Sequence, residues 1–346
     1  MKHLPTEDVL VERLQRLFAT RRRDVLLGIG DDAAVVSGTG RLVATTDALV
    51  EGSDFRKDAD PRRLGRKALN VNLSDLAAMG ATPLWALLAL GLPRRTDPAW
   101  FDAFTEGFRE VAQEHGVAVV GGDLSAAPVF FASVTVLGRA PEKGLLRRDG
   151  ARSGDSLYVS GTLGSAAAGF LLLEAGYRLR PDKTVRCPGR TRLQKARAVE
   201  VARLIRHHVD PRPKLDLGRL LADGGVASAA IDLSDGLSRD LHRLCRASGL
   251  SSTLEVDSLP VDTGIRELRG LVRLDPLRLA LFGGEDYGLL FTVPKRKRPL
   301  AERLAARFPI RAIGTMDDRG EPGTVFLRTT GGERPLPDAG WDHFDR

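Results

Sequence analysis

Aromatic residues are scarce in this sequence, 5 % of 346 positions, and cysteine is scarcer, with two residues in the whole chain. Few aromatics means few platforms on which the bases of a single-stranded nucleic acid can stack. The net charge of +7 would suit an anionic partner, but the arginines are spread over helix-like and loop-like stretches, as on an ordinary solvated surface. No nucleic-acid partner is expected. Cys187 and Cys245 lie far apart without CxxC spacing, which excludes a zinc site or disulfide framework and fits a reducing compartment. A signal-peptide h-region is also missing; instead Thr6 caps an amphipathic helix with Glu7 and Asp8 in its first turn and Leu10, Leu14, Leu17 and Phe18 at helical spacing. The one long apolar run, Leu76 to Leu92, contains Pro83 and follows directly on Asp75. It reads as buried helix, turn and strand, not as a membrane span. A cytoplasmic protein with no membrane partner is expected.

The usual nucleotide motifs are absent too: no GxxxxGK[ST] loop, no protein-kinase signature set and no GxGxxG opening a helix. Gly28-Ile29-Gly30-Asp31-Asp32 lacks the third glycine and puts acids where a pyrophosphate would approach. The histidines, at 3, 115, 207, 208, 242 and 343, form no Ser/His/Asp or Cys/His constellation. Nucleophilic side-chain catalysis is therefore not favoured.

What is present is enough apolar sequence, 42 %, for two domains. Strand-like runs at Val25–Ile29, Leu42–Thr45, Val117–Val120 and Phe130–Leu137 alternate with a helix over Pro61–Met79 and another capped by Asp97-Pro98 and stopped at Gly116. A second unit begins near Ser153-Gly154-Asp155. It carries a strand at Ser156–Ser160 and a helix over Ser165–Ala175, then a basic tract from Arg178 to Arg219 that reads as a solvated excursion with a helix inside it. Beyond it come a strand to Asp232, a helix over Ser238–Ala247, a strand over Thr253–Val256, a helix over Asp275–Phe282 and a strand over Tyr287–Val293. The class is α/β (α+β). NLSDL in the first half faintly echoes DLSDG in the second.

Six short stretches set an acid beside glycine or a small polar residue: GIGDD, TTD (Asp47), NLSD (Asp75), GGD (Asp123), DLSD (Asp232, Asp235) and GGED (Glu285, Asp286). Carboxylates gathered at close range repel unless a cation lies between them, and oxygen-only ligands suit a hard ion such as Mg²⁺. Glycines beside them admit backbone N–H groups to phosphate oxygens. Asp47, Asp123 and Asp232 are read as standing at strand ends, with Thr45 and Thr46 adding oxygens. Each stretch also has a plainer reading: GGD as a turn, Asp75 and Asp235 as helix N-caps, Arg148 as a surface arginine, Trp341 as a core aromatic.

Taken in order, GIGDDAAV, ATTDALVEG, KALNVNLSDLAAMGATP, VVGGD, AIDLSDGLSRDL, GGEDYGLLFTV and the terminal GWDHF resemble the motif series of the thiamine-monophosphate kinases. These belong to the aminoimidazole ribonucleotide synthetase-like (PurM-like) superfamily, and the resemblance runs from about residue 24 to residue 344. It implies a two-domain PurM-like fold, with residues 1–150 as an ATP/Mg²⁺-binding and dimerisation domain and 151–346 as the C-terminal domain. It further implies a homodimer built through N-terminal strands, and transfer of phosphate from ATP to thiamine monophosphate with several Mg²⁺ ions. By the same resemblance Asp32, Thr45, Thr46, Asp47, Asp75, Asp123, Asp232 and Asp235 are metal ligands, with Asp31 a neighbour. Gly122, Asp123, Arg148, Ser234 and His115 face ATP, and Asp123, Asp232 and Arg148 take part in transfer. Asp54, Glu285 and Trp341 face the thiamine half.

The chain departs from the family pattern at two places. Asp54 in EGSDF stands where histidine is common, and His115 stands where tyrosine is common. Two alternatives remain open. One is another PurM-like ATP-dependent enzyme with a different small acceptor, such as a ribonucleotide amide or selenide, although a reactive cysteine for selenide is absent before Cys187. The other is a non-catalytic nucleotide- or nucleic-acid-binding protein.

Overall fold

Helix, strand and turn signals resolve into an α+β chain of two compact units. A computed structural model describes residues 7–27, 29, 35–38, 40–180, 182–189, 192–268 and 270–341. One unit comprises 1–76 and 81–142, the other 77–80 and 143–346.

The first unit runs α1 (Glu7–Leu17), β1 (Val25–Leu27), β2 (Val35–Val36), β3 (Leu42–Val50), α2 (Pro61–Ala78), β4 (Thr82–Leu92), α3 (Pro98–Glu114), β5 (Ala118–Ala126) and β6 (Phe131–Arg139). α3 starts as its cap dictates: the Asp97 carboxylate accepts the Ala99 N–H at 2.9 Å, proline fills the first turn, and Gly116 leaves the helix at φ +66°. Four strands form a sheet in the order β3-β6-β4-β5, antiparallel except for β4 beside β5. Along β6, Ala132, Val134 and Val136 are buried while the residues between them are half-open, the alternation of a sheet covered on one face. Leu69, Leu73 and Leu76 of α2 and Phe101, Phe104 and Phe108 of α3 are fully buried.

Asp47 and Asp123 do not end their strands. β3 stays paired with β6 as far as Val50↔Phe131, and β5 with β4 as far as Leu92↔Ala126. Continued ladder hydrogen bonding carries both strands past their acids, which an exposed edge strand tolerates.

The second unit runs β7 (Ser156–Ser160), α4 (Ser165–Glu174), β8 (Arg178–Leu179), β9 (Val185–Arg186), α5 (Lys195–Val209), α6 (Leu215–Asp223), β10 (Ala229–Asp232), α7 (Leu237–Ser248), β11 (Ser251–Glu255), α8 (Thr263–Glu267), α9 (Pro276–Phe282), β12 (Leu289–Val293), α10 (Arg298–Ala305), β13 (Ile310–Asp317), β14 (Val325–Thr329) and β15 (Gly332–Pro335). Its seven-stranded sheet has the order β10-β12-β7-β13-β11-β14-β15, with β11 and β14 the parallel pair. Leu237, Leu241, Leu244 and Cys245, at helical spacing on α7, join Leu157, Ile231 and Leu290 of the strands in one core.

The basic tract is no solvated excursion. Val201, Leu204 and Ile205 of α5 are fully buried with Ala168 and Leu172 of α4. Arg203 between these positions and Arg206 just beyond them mask an apolar stripe at helical spacing. β12 also begins two residues later than the apolar run does, because Glu285 and Tyr287 adopt left-handed backbone conformations at φ +64° and +46°.

Candidate active site

In the first unit the acids fall into two groups. Thr45 and Asp47 alternate with Thr46 along β3, so Thr45 and Asp47 share a face. Thr45 Oγ1 donates to Asp75 Oδ2 at 2.6 Å. Asp75 is not an N-cap, since α2 continues to Ala78. Thr46 turns to the other face, where Thr135 Oγ1 donates to its hydroxyl and it donates to the Val134 carbonyl, each at 3.1 Å.

Asp123 lies across the sheet. The register aligns Asp47 with Val134, Leu88 and Gly122, and Asp123 with Ser133 and Ala89. These are adjacent rows that face opposite sides, and the two edge strands are three strand spacings apart, about 14 Å. Within one chain, Asp47 and Asp123 therefore do not meet. Asp123 is exposed and its Oδ2 accepts the Ser125 hydroxyl at 2.8 Å. Gly122 needs no ligand to explain it: a Cβ there would come within 1.9 Å of the Leu88 carbonyl oxygen. Among the described residues no three His, Cys, Asp or Glu side chains converge as a metal cage. Asp31 and Asp32 lie outside the described residues.

Asp54 serves its own turn. Its Oδ2 accepts the Val50 N–H at 2.8 Å while its N–H donates to the Val50 carbonyl at 2.9 Å. The loop is fastened further by Gly52 N–H to Phe55 O at 2.8 Å and by Phe55 packing edge-on against Phe130. His115 occupies the C-cap of α3, its N–H bonded to the Val111 carbonyl at 3.0 Å.

In the second unit, three of the singled-out motifs converge on one loop. Asp232 is buried at the end of β10. From the carbonyls that follow it, Leu233 accepts Tyr287 N–H at 2.9 Å, Ser234 accepts Glu285 N–H at 2.8 Å and Asp235 accepts Trp341 N–H at 2.9 Å. The DLSD loop thus carries both GGED and the terminal tryptophan. Glycine permits the approach, because a Cβ at Gly284 would lie 2.6 Å from Ser234 O and one at Gly340 would lie 2.4 Å from Asp235 O. Trp341 is exposed, not a core aromatic. Arg148 is exposed, and its carbonyl accepts the Ser248 hydroxyl at 2.7 Å.

Other side chains around this loop were not marked by the sequence. Asp240 caps the turn, its Oδ2 accepting Asp235 and Gly236 N–H at 3.1 Å each, so Asp235 is not the capping residue. Burial pushes the Asp240 carboxyl up to about 7, the Asp235 charge acts the same way, and Arg243 opposes both. Arg243 bridges the two acids, paired with Asp235 and 3.0 Å from Asp240.

Asp286 locks GGED onto α4, accepting Gly164 N–H at 2.7 Å and Ala166 N–H at 3.1 Å. Burial pushes its carboxyl up to about 7 against these two donors. Glu285 Oε2 stands 2.6 Å from His208 Nδ1 on α5. An acid in the first turn of a helix, as Asp240 is in GLSRDL, is a readable capping signal. The His208 contact spans too much sequence to leave one. Burial pushes the Cys245 thiol up to about 11, so it is no nucleophile at neutral pH. No helix among the described residues is long and apolar enough to cross a membrane.

Comparison with known proteins sets this geometry in context. Residues 30–140 match the family model of the AIR synthase related protein N-terminal domain, and residues 152–326 match that of its C-terminal domain. The thiamine-monophosphate kinase of Salmonella typhimurium is 38 % identical over 339 residues, 97 % of each chain. The crystal structure of thiamine-monophosphate kinase from Stenotrophomonas maltophilia superposes with a TM-score of 0.79 at 37 % identity, covering 94 % of this chain and 98 % of that one. The structure of AaThiL complexed with AMPPCP and TMP gives a TM-score of 0.75 at 31 % identity, covering 98 % of this chain and 97 % of that one.

Proposed function

The chain belongs to the thiamine-monophosphate kinase family, and from that premise we propose that it transfers the γ-phosphoryl group of ATP to thiamine monophosphate, giving ADP and thiamine diphosphate. Two observations carry the reading. Relatives with this activity match along nearly the whole length of both chains, and the DLSD, GGED and terminal tryptophan motifs form one hydrogen-bonded assembly. A different acceptor or a purely binding role is not favoured over that match.

The chemistry agrees with what the chain lacks. A phosphate oxygen acceptor is already anionic, so no histidine base is needed and the protein's work is alignment and charge neutralisation. The donor set fits Mg²⁺, being all oxygen: Thr45, Thr46, Asp47 and Asp75 on β3 and α2, Asp123 on β5, and Asp232 and Asp235 on the DLSD loop, with Asp32 added by resemblance. Bound there, several ions would screen the two polyanions from one another. Asp235 already pairs with Arg243, so an ion at that position shares its carboxylate. Gly122, Asp123, Arg148, Ser234 and His115 are assigned to ATP, with Asp123, Asp232 and Arg148 closest to transfer. Asp54, Glu285 and Trp341 are assigned to thiamine monophosphate, Asp54 through a loop its own carboxylate holds shut.

In this reading residues 1–150 form the ATP-binding and dimerisation domain and residues 151–346 the C-terminal domain. Exposed Leu26, Val35, Val36 and Leu42, all on β1, β2 and β3, support a homodimer formed through these strands. Such a pairing lets Asp123 of one copy serve the Thr45–Asp47–Asp75 group of the other. The direct test incubates the purified chain with ATP, Mg²⁺ and thiamine monophosphate and resolves the products by chromatography. Thiamine diphosphate is expected, and its absence at saturating substrate would refute the activity.

A further inference from the structure

The GGED motif presents Glu285 in an unusual setting. Its left-handed backbone, φ +64°, is held by the bond to Ser234 O, while the next residue, Asp286, is bolted to the start of α4. A non-glycine residue rarely adopts this conformation unless the surroundings enforce it, and such enforcement clusters at functional sites. The Glu285 side chain is 28 % exposed, so the carboxylate is neither sealed in the core nor loose in solvent.

One side chain touches it, and a second packs on the first. His208, in the last turn of α5, is 7 % exposed and brings Nδ1 to 2.6 Å from Glu285 Oε2. Phe170, on α4, packs on the His208 ring at 5.4 Å between centroids, tilted by 53°. Phe170 is nonetheless 41 % exposed, although the rest of α4 is mostly buried. A chain with so few aromatics thus leaves one phenyl ring 41 % exposed against a buried imidazole that also touches a carboxylate. An aromatic face attracts a cation through its quadrupole, and a carboxylate attracts it through charge. A flat organic cation satisfies both groups at once.

We propose that His208 is a positioning residue that holds Glu285 as counter-charge, and that Phe170 and Glu285 form the subsite for the cationic thiazolium ring of thiamine monophosphate. The proposal rests on the kinase reading. His208 touches the carboxylate rather than the substrate, whereas Phe170 makes direct ring contact. The subsite recognises the acceptor alone, so its loss weakens acceptor binding and leaves ATP binding untouched.

The test measures KM for each substrate, kcat, and calorimetric binding of thiamine monophosphate and of its neutral thiophene isostere, 3-deazathiamine monophosphate. His208→Leu and Phe170→Leu should each raise KM for thiamine monophosphate about tenfold, with KM for ATP and kcat within about twofold of wild type. Both should also narrow the wild-type preference for the cation over its neutral isostere. His208→Asn, whose amide nitrogen can replace Nδ1, should restore most of the affinity where His208→Leu does not. Equal losses for ATP, acceptor and kcat in every variant, including His208→Asn, would mark a structural role and overturn the proposal. So would unchanged acceptor binding, or a wild type that does not distinguish the cation from its isostere. A wild-type chain that forms no thiamine diphosphate would instead sink the kinase reading itself, while binding of the two analogues would still decide the subsite.

Discussion

The acids of the first unit and those of the second are handled differently. Asp47 and Asp123 lie exposed along edge strands, and Asp123 Oδ2 accepts one serine hydroxyl. In the second unit, Asp286 takes two helix N–H groups, and Asp262 takes Arg203, Ser165 and Gly264 N–H. A carboxylate buried among its own protein's donors holds architecture in place; one exposed at a strand edge can also reach a cation from outside. The same residue type therefore does two jobs, told apart by its partners.

The sharpest way to break this contrast is to neutralise one acid from each side. Asp123→Asn should lower kcat about 10³-fold with the melting temperature nearly unchanged, because in the proposed reading the exposed carboxylate contributes to the charged transition state and little to the fold. A fall in stability matching the fall in rate would erase the distinction. Mixing the chain carrying Asp47→Asn with the chain carrying Asp123→Asn then asks whether the two edges of the sheet work in one site. If Asp123 serves the partner copy, the mixture regains about a quarter of wild-type activity, half of the dimers being mixed and each of these holding one intact site of two. No recovery would place the two acids in separate roles within one chain.

On the architectural side the test is Arg203→Met. Arg203 Nη1 lies 2.8 Å from Asp262 Oδ2, its Nη2 lies 2.5 Å from Oδ1, and Asp262 is almost fully buried. Removing the arginine strands a buried carboxylate. The expected cost is about 2–3 kcal/mol, less than for a fully buried pair because Arg203 is about one third open to water. Burial works to raise the Asp262 pKa, but Arg203, then Ser165 and the Gly264 N–H, outweigh it and hold the carboxyl below its ordinary range. Such a group stabilises the fold fully above about pH 4, where the unfolded carboxylate is ionised, and the contribution fades as pH falls through the lower folded value. The gap in melting temperature between wild type and Arg203→Met should accordingly be widest near neutral pH and narrow below pH 4. A gap that ignores pH would mean that packing, not charge, is what the arginine supplies.

These differences explain what could be read in advance. The helix beginning at Asp97-Pro98 and the end of β10 at Asp232 follow from local caps and short apolar runs, and local signals survive in sequence. Family resemblance located the DLSD, GGED and terminal tryptophan segments, but nothing local says that two successive carbonyls, Ser234 and Asp235, would carry the other two. The apolar stripe of α5 is hidden because Arg203, Arg206 and His207 are interleaved with its buried positions. The strands of Asp47 and Asp123 run past these acids because their pairing partners, β6 and β4, continue beyond them, which no local signal marks. His208 meeting Glu285 is a tertiary event with no periodicity to announce it.

Asp54 tests the contrast where it is weakest, since it belongs to the first unit yet behaves like an acid of the second. Its Oδ2 accepts the Val50 N–H and its backbone closes the same turn, so one carboxylate oxygen is committed to the loop. Asp54→Asn keeps an oxygen for that bond and removes the charge. If the residue is mainly architectural, stability should fall by less than about 1 kcal/mol and KM for thiamine monophosphate should move by less than about threefold. Asp54→Ala removes the acceptor as well, and should cost about 1 kcal/mol more by leaving the Val50 N–H without it. Should Asp54→Asn instead shift KM for thiamine monophosphate tenfold while the loop stays intact, the Asp54 charge acts on the substrate. Asp54 would then join Asp47 and Asp123 among the acids that act on what the protein binds.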